Sequence, residues 1–207
     1  MINLTDLISQ YCMLSTANVS DGLDRISFNG TPHGIGPLWD TCGKIVGPAC
    51  TLKLVGLDEA DESPVLGTLR AITQGQAGDV LVIDHGGRTD INSYGGVAGF
   101  TTLHKGLVGC VIDGVTRDID EYKELSLPVY SRGFIQSPFA TAVPVPVTKY
   151  RWNLVACLCT QEIWSWLTRT EFVLFPRIEW KKFLAMPNYS NRSKIKLSKR
   201  SETMLTP

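Results

Sequence analysis

The stretch from Gly78 to Asp118, GDVLVIDHGGRTDINSYGGVAGFTTLHKGLVGCVIDGVTRD, constrains the fold of this chain more than any other part of it. Asp79–Asp84 is an apolar run bounded by polar and glycine residues, the pattern of a buried strand. His85–Gly96 reads as a glycine-punctuated loop, Val97–Lys105 as a short helix and Val108–Ile112 as a second buried strand. A strand, helix and strand in that order form a βαβ unit, and the unit stops on Arg117-Asp118. Asp113-Gly114 and Thr116 suggest a tight turn just before that pair, so Arg117 is expected at a strand's carboxyl end, where α/β folds place ligands.

The flanking sequence extends the same pattern. Leu4–Met13 has amphipathic helical spacing, and Ser15–Asp24 offers capping residues ahead of another helical segment. Gly43–Leu57 alternates as an extended strand pair would, with Gly47-Pro48 as its kink or turn, and Ser63–Gln74 fits a helix. Ile119–Leu125 continues as a helix and Pro128–Ser131 as a short strand. Interleaved strands and helices over a chain of 207 residues predict one α/β domain with a real core.

Arg117 and Asp118 are the candidate chemical centre. A guanidinium binds a carboxylate through two parallel bonds, and an adjacent aspartate can hold a hard divalent cation whose other positions are filled by water. The competing reading is an ordinary helix cap paired with surface charges. Gly95-Gly96 is the second component, because glycines opening a helix let backbone N–H groups approach an anion closely. His85 follows a strand and could face the same pocket; Asp84 ends that strand and reads equally well as support for the site or as a turn cap. His104 is expected at the surface. Cys110, in an apolar strand, is expected to be a buried thiol, and the six cysteines show no metal-ligand spacing with the three histidines.

These residues resemble the RraA-like family, which includes the 4-hydroxy-4-methyl-2-oxoglutarate/4-carboxy-4-hydroxy-2-oxoadipate aldolases. The resemblance covers roughly Thr16 to Phe139. It rests on Val19-Ser20-Asp21, Gly47-Pro48-Ala49, Gly78-Asp79-Val80-Leu81-Val82 and Gly106-x-x-Gly109. It continues through Asp113-Gly114-x-x-Arg117-Asp118-x-x-Glu121 and Pro128-Val129. The resemblance implies a swivelling β/β/α domain of the RraA and phosphohistidine-domain-like type, assembled as a homotrimer with sites at subunit boundaries. It implies that Arg117 holds a pyruvate carboxylate, that Asp118 binds Mg²⁺ or Mn²⁺, and that the backbone of Gly95, Gly96, Val97 and Ala98 completes the pocket. The implied reaction is metal-dependent cleavage of 4-hydroxy-2-oxo acids to pyruvate, with oxaloacetate decarboxylation through the same enolate and without a Schiff-base lysine. Many of the family's aldolases carry an acidic residue where Gly96 stands, so Gly96→Asp is expected to raise turnover or metal affinity. The family's namesake inhibits an RNA-degrading endonuclease, so a protein-binding regulator is one alternative; an inactive paralogue, suggested by the last third of the chain, is another.

The last third of the chain breaks from this pattern. Residues 1–150 carry 10 Lys/Arg against 16 Asp/Glu, net −6, whereas residues 151–207 carry 10 against 4, net +6. All 19 glycines lie at or before Gly133, no Asp follows Asp120, and four of the five tryptophans fall after residue 150. The expected division is residues 1–142 as the α/β domain and 143–207 as an atypical segment without independent folding. Reading each codon from the third base of one residue and the first two of the next, Leu154–Pro176 can encode GGVSVYPGDMVLADENGVCVVP. That string has the glycine-rich strand, Pro-Gly-Asp turn and closing segment typical of the family's ending. A frame shift from about Val143 is therefore expected, with Tyr150–Pro207 poorly packed.

No secretory signal is expected, since polar residues interrupt every apolar run in Met1–Met13. The apolar run Leu154–Leu167 is broken by Gln161 and Glu162 and is too short to span a bilayer. A cytoplasmic protein with no membrane and no nucleic-acid partner is expected; the zero overall charge points to no polyanion.

Overall fold

The computed structural model describes residues 4–25, 32–56, 64–136, 142–145, 154–159 and 172–176. Two short helices lead the chain. α1 (Leu4–Cys12) buries Leu7 and Tyr11, and α2 (Thr16–Arg25) buries Val19 and Leu23. Both pairs have the four-residue spacing that places side chains on one helical face. Ser15 caps α2, its Oγ accepting the Asn18 N–H at 3.2 Å.

The chain then builds a six-stranded sheet. In chain order the elements are β1 (Gly36–Pro37), β2 (Ala49–Gly56), α3 (Pro64–Gln74), β3 (Val80–Asn92), α4 (Gly96–His104) and β4 (Gly109–Val115). α5 (Ile119–Glu124), β5 (Val129–Ser131) and β6 (Ala142–Val145) follow. The strand order is β1-β5-β4-β3-β2-β6, with β2 through β5 parallel and the two outer strands antiparallel. Parallel neighbours need crossover connections, and α3, α4 and α5 supply them in sequence. The three helices lie side by side on one face of the sheet, α4 packing against both of its neighbours.

Strand alternation sorts the core. Leu81 and Ile83 of β3 join Cys110 and Ile112 of β4 under the helices, with Ile72, Leu107 and Tyr122. Val80, Val111 and Tyr130 face the other way and pack on Ile35, Cys42 and Ile45. Leu81, Ile83 and Ile112 are fully buried. Truncating any one of them to Ala leaves a cavity costing about 2–5 kcal/mol.

Three expectations are corrected. Within Gly43–Leu57, residues 49–56 form one strand, β2, and Gly43–Pro48 leads into it without pairing as a second strand; Leu57 lies outside the described residues. A Cβ on Gly47 would collide with the Gly78 carbonyl, and Pro48 O accepts the Val80 N–H at 2.8 Å, so Gly47-Pro48 seats β2 beside β3. Ile45 meanwhile packs beneath the sheet. Second, His85–Asn92 remains paired as the far end of β3. Gly86 and Gly87 adopt left-handed backbone (φ 63° and 72°) and put bulges into it, with register shifts after Asp84 and after Arg88. The open connection is only Ser93–Gly95. Third, β4 runs through Asp113-Gly114 to Val115 without a turn. Gly114 is needed for close approach, since a Cβ there would lie 2.6 Å from Ser93 Oγ and 3.0 Å from His85 Cβ.

The boundary expected between residues 142 and 143 falls inside β6, which pairs antiparallel with β2. Further on, β7 (Leu154–Cys159) and β8 (Phe172–Pro176) pair antiparallel as a separate two-stranded sheet. The rest of the expected Tyr150–Pro207 segment lies outside the described residues. Among the described residues, no helix is long and apolar enough to cross a membrane.

Candidate functional site

β4 ends at Val115, and the next residues turn back over the opening of α4. Thr116 is fully buried there. Its Oγ1 donates to Tyr94 O at 2.7 Å and lies 2.8 Å from the Tyr122 hydroxyl. Tyr94 OH in turn donates to Thr102 Oγ1 at 2.7 Å, and the two tyrosine rings pack at 5.6 Å between centroids. Burial pushes both phenols well above their ordinary pKa, so they stay neutral. Four hydroxyls from β4's end, α4, α5 and the β3–α4 connection thus tie two loops together beneath the site. Buried hydroxyls left without such partners would cost stability, which makes the network a rigid floor.

On that floor stand Arg117 and Asp118. Asp118 adopts left-handed backbone (φ 61°, ψ 39°), uncommon for a residue with a side chain. Its carboxylate does not cap α5; Oδ2 instead accepts the Gly96 N–H at 2.9 Å. The same oxygen accepts Arg117 Nε at 3.2 Å. With Nε engaged, the terminal nitrogens of the guanidinium make no bond among the described residues, and that end is the fork suited to a ligand carboxylate.

Gly95 and Gly96 explain how so much polar chemistry fits. A Cβ on Gly95 would lie 3.0 Å from Asp118 Oδ2 and 3.2 Å from Arg117 Nε. A Cβ on Gly96 would fall directly on the Glu121 carboxylate. Gly95 is extended and Gly96 helical, so this pair serves close approach and not an unusual backbone angle. The first i→i−4 bond of α4 runs from Gly99 N–H to Gly95 O. The Val97 and Ala98 amides precede it and have no helical acceptor. The Ala98 side chain is buried and that of Val97 is exposed.

The cleft above these groups has a volume of about 570 Å³ and is lined by Arg117, Asp118, Glu121, Lys123, Phe134 and Gln136, among others. Arg117 and Asp118 line this cleft, and Gly95 and Gly96 meet them through the Gly96 N–H bond to Asp118 and the close approach of Gly95, whereas Val97 and Ala98 are not among its lining residues. Nor are His85 and Asp84. His85 is buried with its Nδ1 hydrogen-bonded to Ser93 Oγ, and burial lowers its pKa. Asp84 accepts the Gly86 N–H at 3.0 Å as a turn cap and pairs with Lys53 at 3.5 Å. His104 is exposed, its ring stacked on Phe100, and Cys110 is a buried free thiol. Sequence reading missed Tyr94, Thr102 and Tyr122, and took Thr116 only for a turn residue.

The donors suit a hard cation that keeps most of its water. Asp118 and Glu121 both offer carboxylate oxygen, and no group of three His, Cys, Asp or Glu side chains assembles among the described residues. Mg²⁺ and Mn²⁺ tolerate one or two protein carboxylates completed by water and substrate; a structural zinc site does not.

The sequence profile of the RraA-like family, described as Aldolase/RraA, matches residues 16–153. A Halalkalibacterium halodurans protein named "Putative 4-hydroxy-4-methyl-2-oxoglutarate aldolase" is 32% identical over 128 residues, 62% of this chain and 57% of that one. DlpA of Legionella pneumophila is 27% identical over 130 residues, 63% of this chain but 21% of its own length. The chain thus matches well under two thirds of either relative. Among solved structures, an uncharacterized Pseudomonas syringae protein superposes with a TM-score of 0.73 at 23% identity, covering 98% of this chain and 91% of that one. Streptomyces coelicolor RraAS2, described as an unusual member of the RNase ES inhibitor RraA protein family, gives 0.69 at 19% identity, covering 96% of each chain. At those identities the structural likeness establishes the fold.

Proposed function

Because the chain belongs to the RraA-like family, we propose that it is a carbon–carbon lyase that cleaves 4-hydroxy-2-oxo acids to pyruvate and also decarboxylates oxaloacetate. The observation that supports this most is the Arg117–Asp118 pair fixed against the Gly95-Gly96 turn at the end of β4. In this reading the free end of the Arg117 guanidinium binds the substrate's C1 carboxylate and sets the orientation of the bond to be broken. The Val97 and Ala98 amides at the start of α4, which have no helical acceptor, would bond the same anion. Asp118, with Glu121 nearby, would hold a divalent ion, which supplies Lewis-acid polarisation of the 2-oxo group. The Arg117 Nε and Gly96 N–H bonds hold the Asp118 carboxylate turned toward Gly96, and the hydroxyl floor keeps both loops in register.

The test is pyruvate release from 4-hydroxy-4-methyl-2-oxoglutarate and from oxaloacetate, with Mg²⁺ or Mn²⁺ and with a chelator. Release that depends on added ion supports the lyase; none from well-folded protein removes it. A second reading, a protein-binding regulator of an RNA-degrading enzyme, draws on the name attached to RraAS2 and on the net −6 charge of residues 1–150, which suits a basic partner. A homotrimer is proposed with either reading, and light scattering showing a folded monomer would count against it.

A further inference from the structure

We propose that the apolar part of this cleft's lining is a subsite for a neutral hydrophobic group at C4 of the substrate, with Phe134 as its specificity-determining residue. The proposal rests on the lyase reading above and names which 4-hydroxy-2-oxo acids that site prefers.

The lining is of two kinds. Beside the charged groups, Leu38, Ile119 and Phe134 contribute apolar surface from three separate segments of the chain. Phe134 is fixed by its backbone. Gly133 O accepts the Thr116 N–H at 3.2 Å and Thr116 O accepts the Ile135 N–H at 2.8 Å, a parallel bridge that sets Phe134 beside the residue preceding Arg117. Its side chain is nonetheless 64% exposed. An aromatic ring held at a cleft by backbone bonds and left open to water is stabilised when a ligand's apolar group covers it. Charge points the same way. Arg117 and Lys123 line the cleft with Asp118, Asp120 and Glu121, two cations against three carboxylates, formally −1. Each cation already bonds a carboxylate, Lys123 pairing with Asp120 at 3.0 Å and Arg117 with Asp118 at 3.2 Å. The divalent ion of the lyase reading brings the balance to +1, which the C1 carboxylate at Arg117 satisfies. A diacid would bring a second carboxylate among three others, a repulsive placement. The volume of about 570 Å³ lies in the range that encloses drug-sized ligands, well beyond what pyruvate fills. With a phenyl group at C4, cleavage breaks the C3–C4 bond. The C4 hydroxyl loses its proton and becomes the carbonyl of benzaldehyde, and the bond's electron pair passes to C3 as pyruvate enolate, which takes up a proton to give pyruvate.

The experiment measures binding to the full chain by isothermal titration calorimetry with Mn²⁺ present. The probes are 2-oxo-4-phenylbutanoate, 2-oxoglutarate and pyruvate; none has a C4 hydroxyl, so none is cleaved. The parent should bind 2-oxo-4-phenylbutanoate about tenfold or more tightly than pyruvate, the effect of burying a phenyl group. It should bind 2-oxoglutarate no more tightly than pyruvate. Phe134→Ala should lose most of the phenyl preference while binding pyruvate as the parent does, and Phe134→Leu should keep part of it. Phe134 is exposed, so both variants keep the fold, which thermal unfolding verifies. Equal binding of the phenyl probe and pyruvate overturns the proposal. So does tighter binding of 2-oxoglutarate than of the phenyl probe, an undiminished preference in Phe134→Ala, or a parent that binds none of the three. A change of assembly state in Phe134→Ala by light scattering, with probe binding unaltered, would make Phe134 an interface residue and overturns it as well. Pyruvate release from 4-hydroxy-2-oxo-4-phenylbutanoate is followed in parallel. The expected binding pattern without release supports the subsite and removes the lyase reading; release without the binding preference keeps the lyase reading and overturns the subsite.

Discussion

Replacing Arg117 by alanine tests the substrate-binding half of the proposed site. The side chain is 37% exposed and, among the described residues, bonds only Asp118 Oδ2 through Nε. The fold should barely notice its loss, because Asp118 keeps the Gly96 N–H. The cost should fall on the bound carboxylate. Truncating one partner of a buried charge pair costs about 2–5 kcal/mol, and the partial exposure places this pair in the lower part of that range, about 2–3 kcal/mol. At 1.36 kcal/mol per decade, kcat/KM for oxaloacetate should drop by about 30- to 150-fold. Arg117→Lys should recover little of it, since an ammonium restores charge but not the planar fork. Pyruvate release coupled to lactate dehydrogenase reads the rate, and thermal unfolding checks the fold. An alanine variant with parent kcat/KM would refute the assignment. A variant whose melting point collapses would show that Arg117 is a structural tie between loops.

Three further outcomes follow from the same contacts. Asp118→Asn should raise the ion concentration needed for half-maximal activity while leaving the melting point nearly unchanged, because asparagine also tolerates left-handed backbone; an unchanged ion titration would remove Asp118 from the site. Thr116→Val should cost about 1–3 kcal/mol in urea unfolding, since Tyr94 O and Tyr122 OH lose a buried partner, and an undiminished midpoint would show that the hydroxyl floor is dispensable. His85 has its pKa lowered by burial and then by Arg88, so below the ordinary pKa of 6.5 the unfolded chain binds the proton first. Its contribution to stability is therefore full above pH 6.5 and declines as pH falls through the folded value; a His85→Gln variant should show a shallower loss of stability between pH 7 and 5, and identical pH profiles would contradict this.

The parallel core was legible because its signal is local. Val80–Ile83 and Cys110–Ile112 alternate between two buried faces, and a run of apolar residues bounded by glycines reads as a strand whichever partner it finds. Arg117-Asp118 was legible for a related reason, as an ion pair placed where a strand ends. The continuation of β3 through His85–Asn92 was not. Glycines with positive φ serve loops and bulges alike, and only the partner strand decides between them. Nor could the sequence place Glu121 over Gly96, or join Tyr94, Thr102, Thr116 and Tyr122 in one network. A hydroxyl network has no periodicity, and contacts between separate elements depend on how α4 and α5 cross the sheet.

The described groups of the site, from Leu38 to Gln136, precede the compositional break in the chain. This separation makes the frame-shift reading testable at the level of physical behaviour as well as of the gene. The family profile extends to residue 153, and β6 still forms the edge beside β2. If the ending is a shifted frame, its side chains were not selected to cover that edge or the two-stranded sheet of β7 and β8, and exposed apolar surface favours association. Replacing the segment from Leu154 to Pro176 with its shifted reading, GGVSVYPGDMVLADENGVCVVP, should then raise the melting temperature and reduce aggregation. The relative effect of Arg117→Ala should stay the same, because the cleft residues are untouched. Stability equal to or below the parent's would argue that the present ending is a selected part of the fold. At the gene, a shifted frame running through Leu154–Phe183 without stop codons and spelling that string would establish the lesion; stop codons or unrelated residues would sink it.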